Sequence, residues 1–201
     1  MFAQIIRGKV SDPAAVRPLV DRWMTQLAPT ATGWLGSTSG ITEDNQLFVL
    51  VRFESEEAAR ANSDRREQGE WWSEMEKLLD GEASFQNSTD IEVDTPGDPD
   101  SAGFVQVMSG QVSDPERVRQ LMASQPDMRS LRPDILGSVN VGHDDGEWTM
   151  VIYFTSEAEA REGERKEVPP EVAETMDQMM ALSIRPPEYL DLKNPRLDSP
   201  K

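Results

Sequence analysis

The 201-residue sequence has no cysteine and a single histidine, His143. The first absence excludes a disulfide framework, a thiolate nucleophile and any cysteine-bound iron–sulfur or zinc centre. The second removes most metal, haem and Ser-His-Asp chemistry. Cations are scarce beside anions: 20 Lys and Arg against 37 Asp and Glu leave a net charge of −17. Phosphate binding needs clustered cations, so nucleic acid is disfavoured as a partner, as are anionic membrane surfaces. No apolar run reaches the ~18 residues a membrane span needs, and no basic segment precedes an apolar one as in a secretory leader. A cytoplasmic protein is expected. Hydrophobic residues make up 37% of the chain, enough for a core without surplus.

The chain is written twice. Residues 2–19 (FAQIIRGKVSDPAAVRPL) and 104–121 (FVQVMSGQVSDPERVRQL) share ten of eighteen positions at an offset of 102, where chance gives about one. At an offset of 101, Leu35-Gly36-Ser37 returns as Leu136-Gly137-Ser138, and Phe53, Ser55, Glu56, Ala59 and Arg60 return as Phe154, Ser156, Glu157, Ala160 and Arg161. A period near 100 residues makes each copy a domain. The expected boundaries are 1–93 and 103–192, joined by the Asp- and Pro-rich linker 94–102 and followed by a polar tail, 193–201, expected to fray.

Each copy opens on an alternating strand, and Ser-Asp-Pro then starts a helix in both. Ser113 with Glu116 has the spacing of a capping box. The first helix carries Val16, Leu19, Val20, Trp23, Met24 and Leu27 on one stripe; Pro126 is expected to shorten or bend its counterpart. Strands at 33–42 and 46–53, a helix from Ser55 broken near Gly69 and a strand at 83–93 complete the first copy. The second has strands at 134–142 and 147–154, a helix from Ser156 broken near Pro169-Pro170 and a strand at 182–192. The order is β-α-β-β-α-β, the ferredoxin-like arrangement, of class α+β. The third strand is apolar on both faces, so it is central and covered twice. Packing of the two sheets against each other, as a dimeric α/β barrel within one chain, is the expected solution, with further homodimerisation open.

Together the acid-Pro-capped first helix, the Gly33-Trp34-Leu35-Gly36-Ser37 segment and Phe53-Glu54-Ser55-Glu56-Glu57-Ala58-Ala59 resemble the antibiotic-biosynthesis-monooxygenase-like (ABM) domains of the dimeric α/β-barrel superfamily, over both copies. That family includes cofactor-independent monooxygenases of aromatic polyketides, haem-degrading oxygenases and proteins of unassigned role. The resemblance implies a small-molecule-binding protein and, if catalytic, oxygenation of an aromatic or polyketide-type metabolite with no cofactor. The alternative is a non-catalytic ligand-binding or structural protein with a degenerate site. Haem degradation would need a histidine on the second helix, and none is there. In the monooxygenases an Asn and a Trp on that helix, with an Arg elsewhere, line the pocket. Here Asn62 holds a similar place, Arg66 stands where the family's Trp would be, and Trp71 and Trp72 follow. An amide and a guanidinium can stabilise a phenolate or enolate, and an indole can stack on a planar ring; the competing reading is a solvated Asn and Arg with two core tryptophans. The second copy has Gly163 and Glu167 at the matching positions, which confines such a site to one copy.

The residues alone add further candidates. Gln4 and Gln106 hold identical places on the apolar face of the first strand. Each could orient a ligand or satisfy a nearby backbone or its repeat mate. Arg52 and Tyr153 are equivalent interruptions of the third strand, either ligand-facing or engaged in cross-sheet contact. His143, in Gly142-His143-Asp144-Asp145-Gly146, reads as an exposed turn residue. Seven of the ten methionines, Met128 among them, fall in the second copy and suit either a permissive pocket or plain core filling.

Overall fold

The alternation at the start of the chain becomes strand β1 (Phe2–Lys9) in the computed structural model, which describes residues 1–124 and 130–200. Pro126 and Met128 lie outside the described residues. The elements that follow are α1 (Pro13–Gln26), β2 (Trp34–Ile41), β3 (Gln46–Phe53), α2 (Glu56–Ser63), α3 (Arg66–Glu76), β4 (Ser84–Ser88) and β5 (Ile91–Asp94). The second copy supplies β6 (Phe104–Val112), α4 (Pro115–Ala123), β7 (Ile135–Gly142), β8 (Glu147–Phe154), α5 (Glu157–Gly163), α6 (Pro170–Ala181) and β9 (Ser183–Leu192), and the chain closes with β10 (Arg196–Asp198). Two compact units result: Met1–Ile91 with Leu192–Lys201, and Glu92–Asp191.

Each unit carries a five-stranded sheet, in the order β10-β2-β3-β1-β4 and β5-β7-β8-β6-β9. Four strands of each come from the ferredoxin-like repeat. The fold is α+β, with the repeat present twice. In the first unit β1 pairs antiparallel with β3 from Phe2↔Phe53 to Lys9↔Gln46, and β2 pairs with β3 through a bulge at Trp34/Gly36. Leu47, Val49, Val51 and Phe53 face α1, α2 and α3, while Phe48 and Leu50 on the opposite face are wholly buried. β3 is therefore buried on both sides, as its unbroken apolar run requires.

Helix starts follow the sequence closely. Asp12 and Asp114 cap α1 and α4, accepting from the amides of Ala15 (3.3 Å) and Arg117 (2.9 Å). Ser55 and Ser156 cap α2 and α5. The capping box at Ser113 does not form: its hydroxyl donates to the Leu182 carbonyl (3.2 Å), as that of Ser11 does to Leu78 (2.9 Å). These serines tie the end of the first strand to the chain leaving the last helix. The break in the second helix falls at Asp64-Arg65, ahead of Gly69, because Arg65 leaves helical geometry to start α3.

Two segments depart from expectation. The stretch expected as one strand over 83–93 is two, β4 and β5, and they enter different sheets. The Ser88 hydroxyl accepts from the Asp90 amide at 3.0 Å and turns the chain between them. The tail does not fray: Arg196–Asp198 pairs with Ser39–Ser37 as the edge strand of the first sheet. Among the described residues no helix is long and apolar enough to cross a membrane.

Candidate functional site

The helices of the first unit do not close fully on their sheet. A cavity of about 630 Å³ remains between them, walled by β1, β2 and β3 below and by α1, α2 and α3 above. That size suits a small organic ligand. The widely spaced apolar positions on α1 that read as core (Val16, Val20, Trp23) form part of its wall, with Ile6, Val49, Val51 and Phe53 from the sheet.

Of the residues singled out from the sequence, Gln4, Asn62, Trp71 and Trp72 line this cavity together. Gln4 donates from Nε2 to Asn87 Oδ1 (3.0 Å), which leaves its own carbonyl oxygen as an acceptor. Asn62 is buried on α2, and its Oδ1 accepts from Arg65 Nη1 at 2.9 Å. A guanidinium can only donate, so the atom facing it must be the amide oxygen. The Asn62 –NH₂ is thereby presented as a donor. Arg65 is itself held by the Leu27 carbonyl (3.2 Å) and the Thr30 hydroxyl (2.7 Å). Trp71 donates to the Leu19 carbonyl and Trp72 to Glu76, each at 2.8 Å, and Trp72 meets Phe85 edge-on with ring centres 5.2 Å apart.

The other candidates lie elsewhere. Arg66 is 80% exposed, pairs with Glu70 at 3.3 Å and does not line the cavity. Arg52 sits on the face of β3 away from the helices. In the second unit, Gln106 donates to Asp191 (3.0 Å), which also binds Arg161, and Arg161 lies over the Phe104 ring at 5.2 Å. Burial lowers the basicity of Arg161, but Asp191 and Glu164 outweigh it and hold its pKa above the usual guanidinium value. Tyr153, on β8, is buried. His143 is half-buried rather than exposed, with Nε2 3.1 Å from the Thr149 hydroxyl.

Several lining residues escaped sequence reasoning. Trp23 and Trp34 stand edge-to-face with ring centres 5.3 Å apart. Trp23 donates to Gln68 Oε1 at 2.7 Å, whereas the buried Nε1–H of Trp34 has no partner among the described residues. Asn194 and Arg196 reach the cavity from the tail. The helical spacing of Trp23 signalled burial, and nothing in it distinguishes a cavity wall from a packed core. Arg65 reaches Asn62 only because the chain leaves helical geometry there and turns back, which no local pattern announces. Among the described residues no aspartate, glutamate, histidine, lysine or tyrosine lines the cavity. Among the described residues no cluster of His, Asp and Glu could hold a metal ion.

The second unit differs at the corresponding places. Gly163 stands at the place of Asn62, and Arg132 at the place of Ala31. The Arg132 guanidinium lies against Gly163, where a Cβ would collide with it. It is clamped by both oxygens of Asp134 (3.0 and 2.7 Å) and lies over the Phe154 ring at 5.7 Å. Counted back from the matching ties of Ser11 to Leu78 and Ser113 to Leu182, Thr175 and Met176 stand where α3 has its paired indoles.

No family model matches the sequence, and a search of curated proteins finds no relative. Solved structures do match over the whole chain. A candidate monooxygenase from Fusobacterium nucleatum superposes with a TM-score of 0.80 at 7% identity, covering 98% of this chain and 94% of that one. One from Lactobacillus acidophilus gives 0.72 at 10% identity over 100% and 99%. An anthrone oxidase-like protein gives 0.69 at 12% identity over 98% and 92%. The chain has the ABM-like fold in two fused copies. A shared fold at these identities leaves the chemistry to be argued from the site.

Proposed function

We propose that the first copy of this ABM-like chain binds a planar aromatic small molecule between its helices and sheet, and oxygenates it with dioxygen, drawing on no metal or flavin. One observation carries the reading. The cavity combines four indole walls with an amide, that of Asn62, whose orientation Arg65 dictates. Indoles supply broad apolar faces for a fused ring system. The Asn62 –NH₂ donates to an oxygen on which negative charge builds, and a donor held in place before reaction is worth most in a dry site.

For an anthrone-type substrate the balance is simple. The ring-bound CH₂ gives a proton to solvent water, since no lining side chain can take it, and leaves an enolate; the enolate reduces O₂, and a carbon–peroxide bond forms and is protonated from solvent. Loss of the remaining proton and cleavage of the O–O bond leave a carbonyl and water. One oxygen atom enters the product and the other departs as water, so no outside reductant is needed. Asn62 stabilises the enolate oxygen throughout.

Oxygen uptake with anthrone tests this. Asn62→Ala is expected to lower kcat by roughly 10²-fold, the scale of losing one such donor. Unchanged uptake in Asn62→Ala would refute the role given to the amide. A second reading, ligand binding without turnover, is favoured by the absence of a proton acceptor among the lining side chains. Saturable binding with no oxygen uptake above the spontaneous rate would establish it instead.

A further inference from the structure

We propose that the C-terminal segment is a wall of the ligand site, and that Arg196 on it, with Arg17 nearby on α1, selects a ligand that enters as a planar aromatic anion. The proposal rests on the reading of the cavity as a ligand site and names the class of molecule it takes.

The tail is built into the first unit. Arg196–Asp198 pairs with β2 in a defined register. Two glycines make room for it. Gly36 adopts φ +132, and a Cβ there would stand 2.8 Å from the Asp198 carbonyl oxygen. At Gly40 a Cβ would meet the Leu192 side chain at 3.0–3.1 Å. Lys193 adds an ion pair with Glu43 at 2.8 Å.

This docking fixes Arg196 at the cavity. Its Nε donates to Asp198 at 2.7 Å and its Nη1 to Asp21 on α1. Two of the three guanidinium nitrogens are thereby anchored, and Nη2 carries no bond among the described residues. The side chain is 22% exposed, so its orientation is set before a ligand arrives.

Arg17 shows a complementary feature through the repeat. Its counterpart Arg119 is neutralised by Glu116, three residues earlier, at 3.2 Å. In the first copy that earlier position is Ala14, and among the described residues no carboxylate pairs with Arg17. Arg17 lies one helical turn before Asp21, the residue that anchors Arg196, so the two guanidiniums share one stretch of α1.

The cavity is thus graded across the sheet. On the β10–β2 side stand Ser37, Ser39, Asn194 and Arg196, and towards β4 stand Trp72 and Phe85. A ligand with a flat apolar body and an anionic group fits that gradient in one direction. A guanidinium with a free N–H and a carboxylate or phenolate form a charge-assisted pair.

Calorimetric titration of the full chain with 2-naphthoate and with its neutral, isosteric carboxamide tests the proposal. The expected result is a preference of about tenfold or more for the anion, the scale of one charge-assisted hydrogen bond. The preference should shrink with added salt and collapse in Arg196→Gln. Because Arg196 also anchors the tail, Arg17→Gln serves as a second variant; Arg17 is exposed, with no ion-pair partner among the described residues, and the change should reduce the preference without altering thermal melting. Equal affinity for both probes in the wild-type chain, or a preference that survives both substitutions, overturns the charge selection and leaves the cavity reading intact. Failure of both probes to bind overturns the cavity reading, and this proposal with it.

Discussion

Asn62 depends on a neighbour that has no contact with the ligand space of its own. Arg65 makes hydrogen bonds to Asn62, Leu27 and Thr30, and it is what makes the Asn62 amide a donor towards the cavity. Arg65→Ala should therefore act twice. Stability should fall by roughly 1–3 kcal/mol as the buried partners lose their donor, read as a lower melting temperature. Oxygen uptake should fall as well, because the Asn62 amide is then free to rotate. Arg65→Lys restores the charge but not the forked geometry, and should recover melting more than turnover. Arg196 carries a pH signature. Burial alone would lower its pKa, but hydrogen bonds to Asp198 and Asp21 outweigh burial and raise it. It stays cationic as pH rises through the neutral and alkaline range. The preference for an aromatic acid should accordingly vanish only as pH falls through the ligand's own pKa, and a binding profile tracking any other titration would contradict the assignment.

Between residue and molecule, the element of most consequence is the shortest, β10. Deleting residues 194–201 should leave Leu192 in its Gly40 cradle but expose the edge of β2 and open one side of the cavity. A lower melting temperature and weakened ligand binding are the expected outcomes by differential scanning fluorimetry and calorimetry. Gly36→Ala should mimic the deletion in part, since it adds a Cβ beside the Asp198 carbonyl at a backbone angle that suits glycine. Full-strength ligand binding by the truncated chain would show the tail to be a bystander. This element was also the least legible in the sequence. KNPRLDSPK has the composition of a loose end, and strand pairing at a sheet edge depends on a distant partner that local pattern does not reveal. The caps, the stripe on α1 and the doubly apolar β3 were legible because each is dictated by residues within one or two turns of itself. The site was half legible. Gln4 stood out by its place in the repeat, and Asn62, Trp71 and Trp72 through the family resemblance, whereas Arg66 lies off the cavity because helix α2 ends three residues before it and α3 turns it to solvent.

At the scale of the whole molecule, the two copies have diverged at matching places. One copy keeps Asn62 beside Ala31 and lines a cavity with indoles. The other exchanges large for small at the same two places, Gly163 beside Arg132, and puts an ion-paired guanidinium there. Both retain the caps and the strand–helix ties that hold the repeat together. The tryptophans divide the same way: Trp23, Trp34, Trp71 and Trp72 line the cavity, and Trp148 lies in the second unit against Gly110. The chain thus carries its own reporters. Nuclear magnetic resonance of protein labelled with ¹⁵N at the indole nitrogens should show five indole N–H signals, and titration with 2-naphthoate should shift those of the four cavity tryptophans, that of Trp34 most, while Trp148 stays unmoved. A titration that displaces Trp148 and leaves the four in place would put the ligand in the wrong copy.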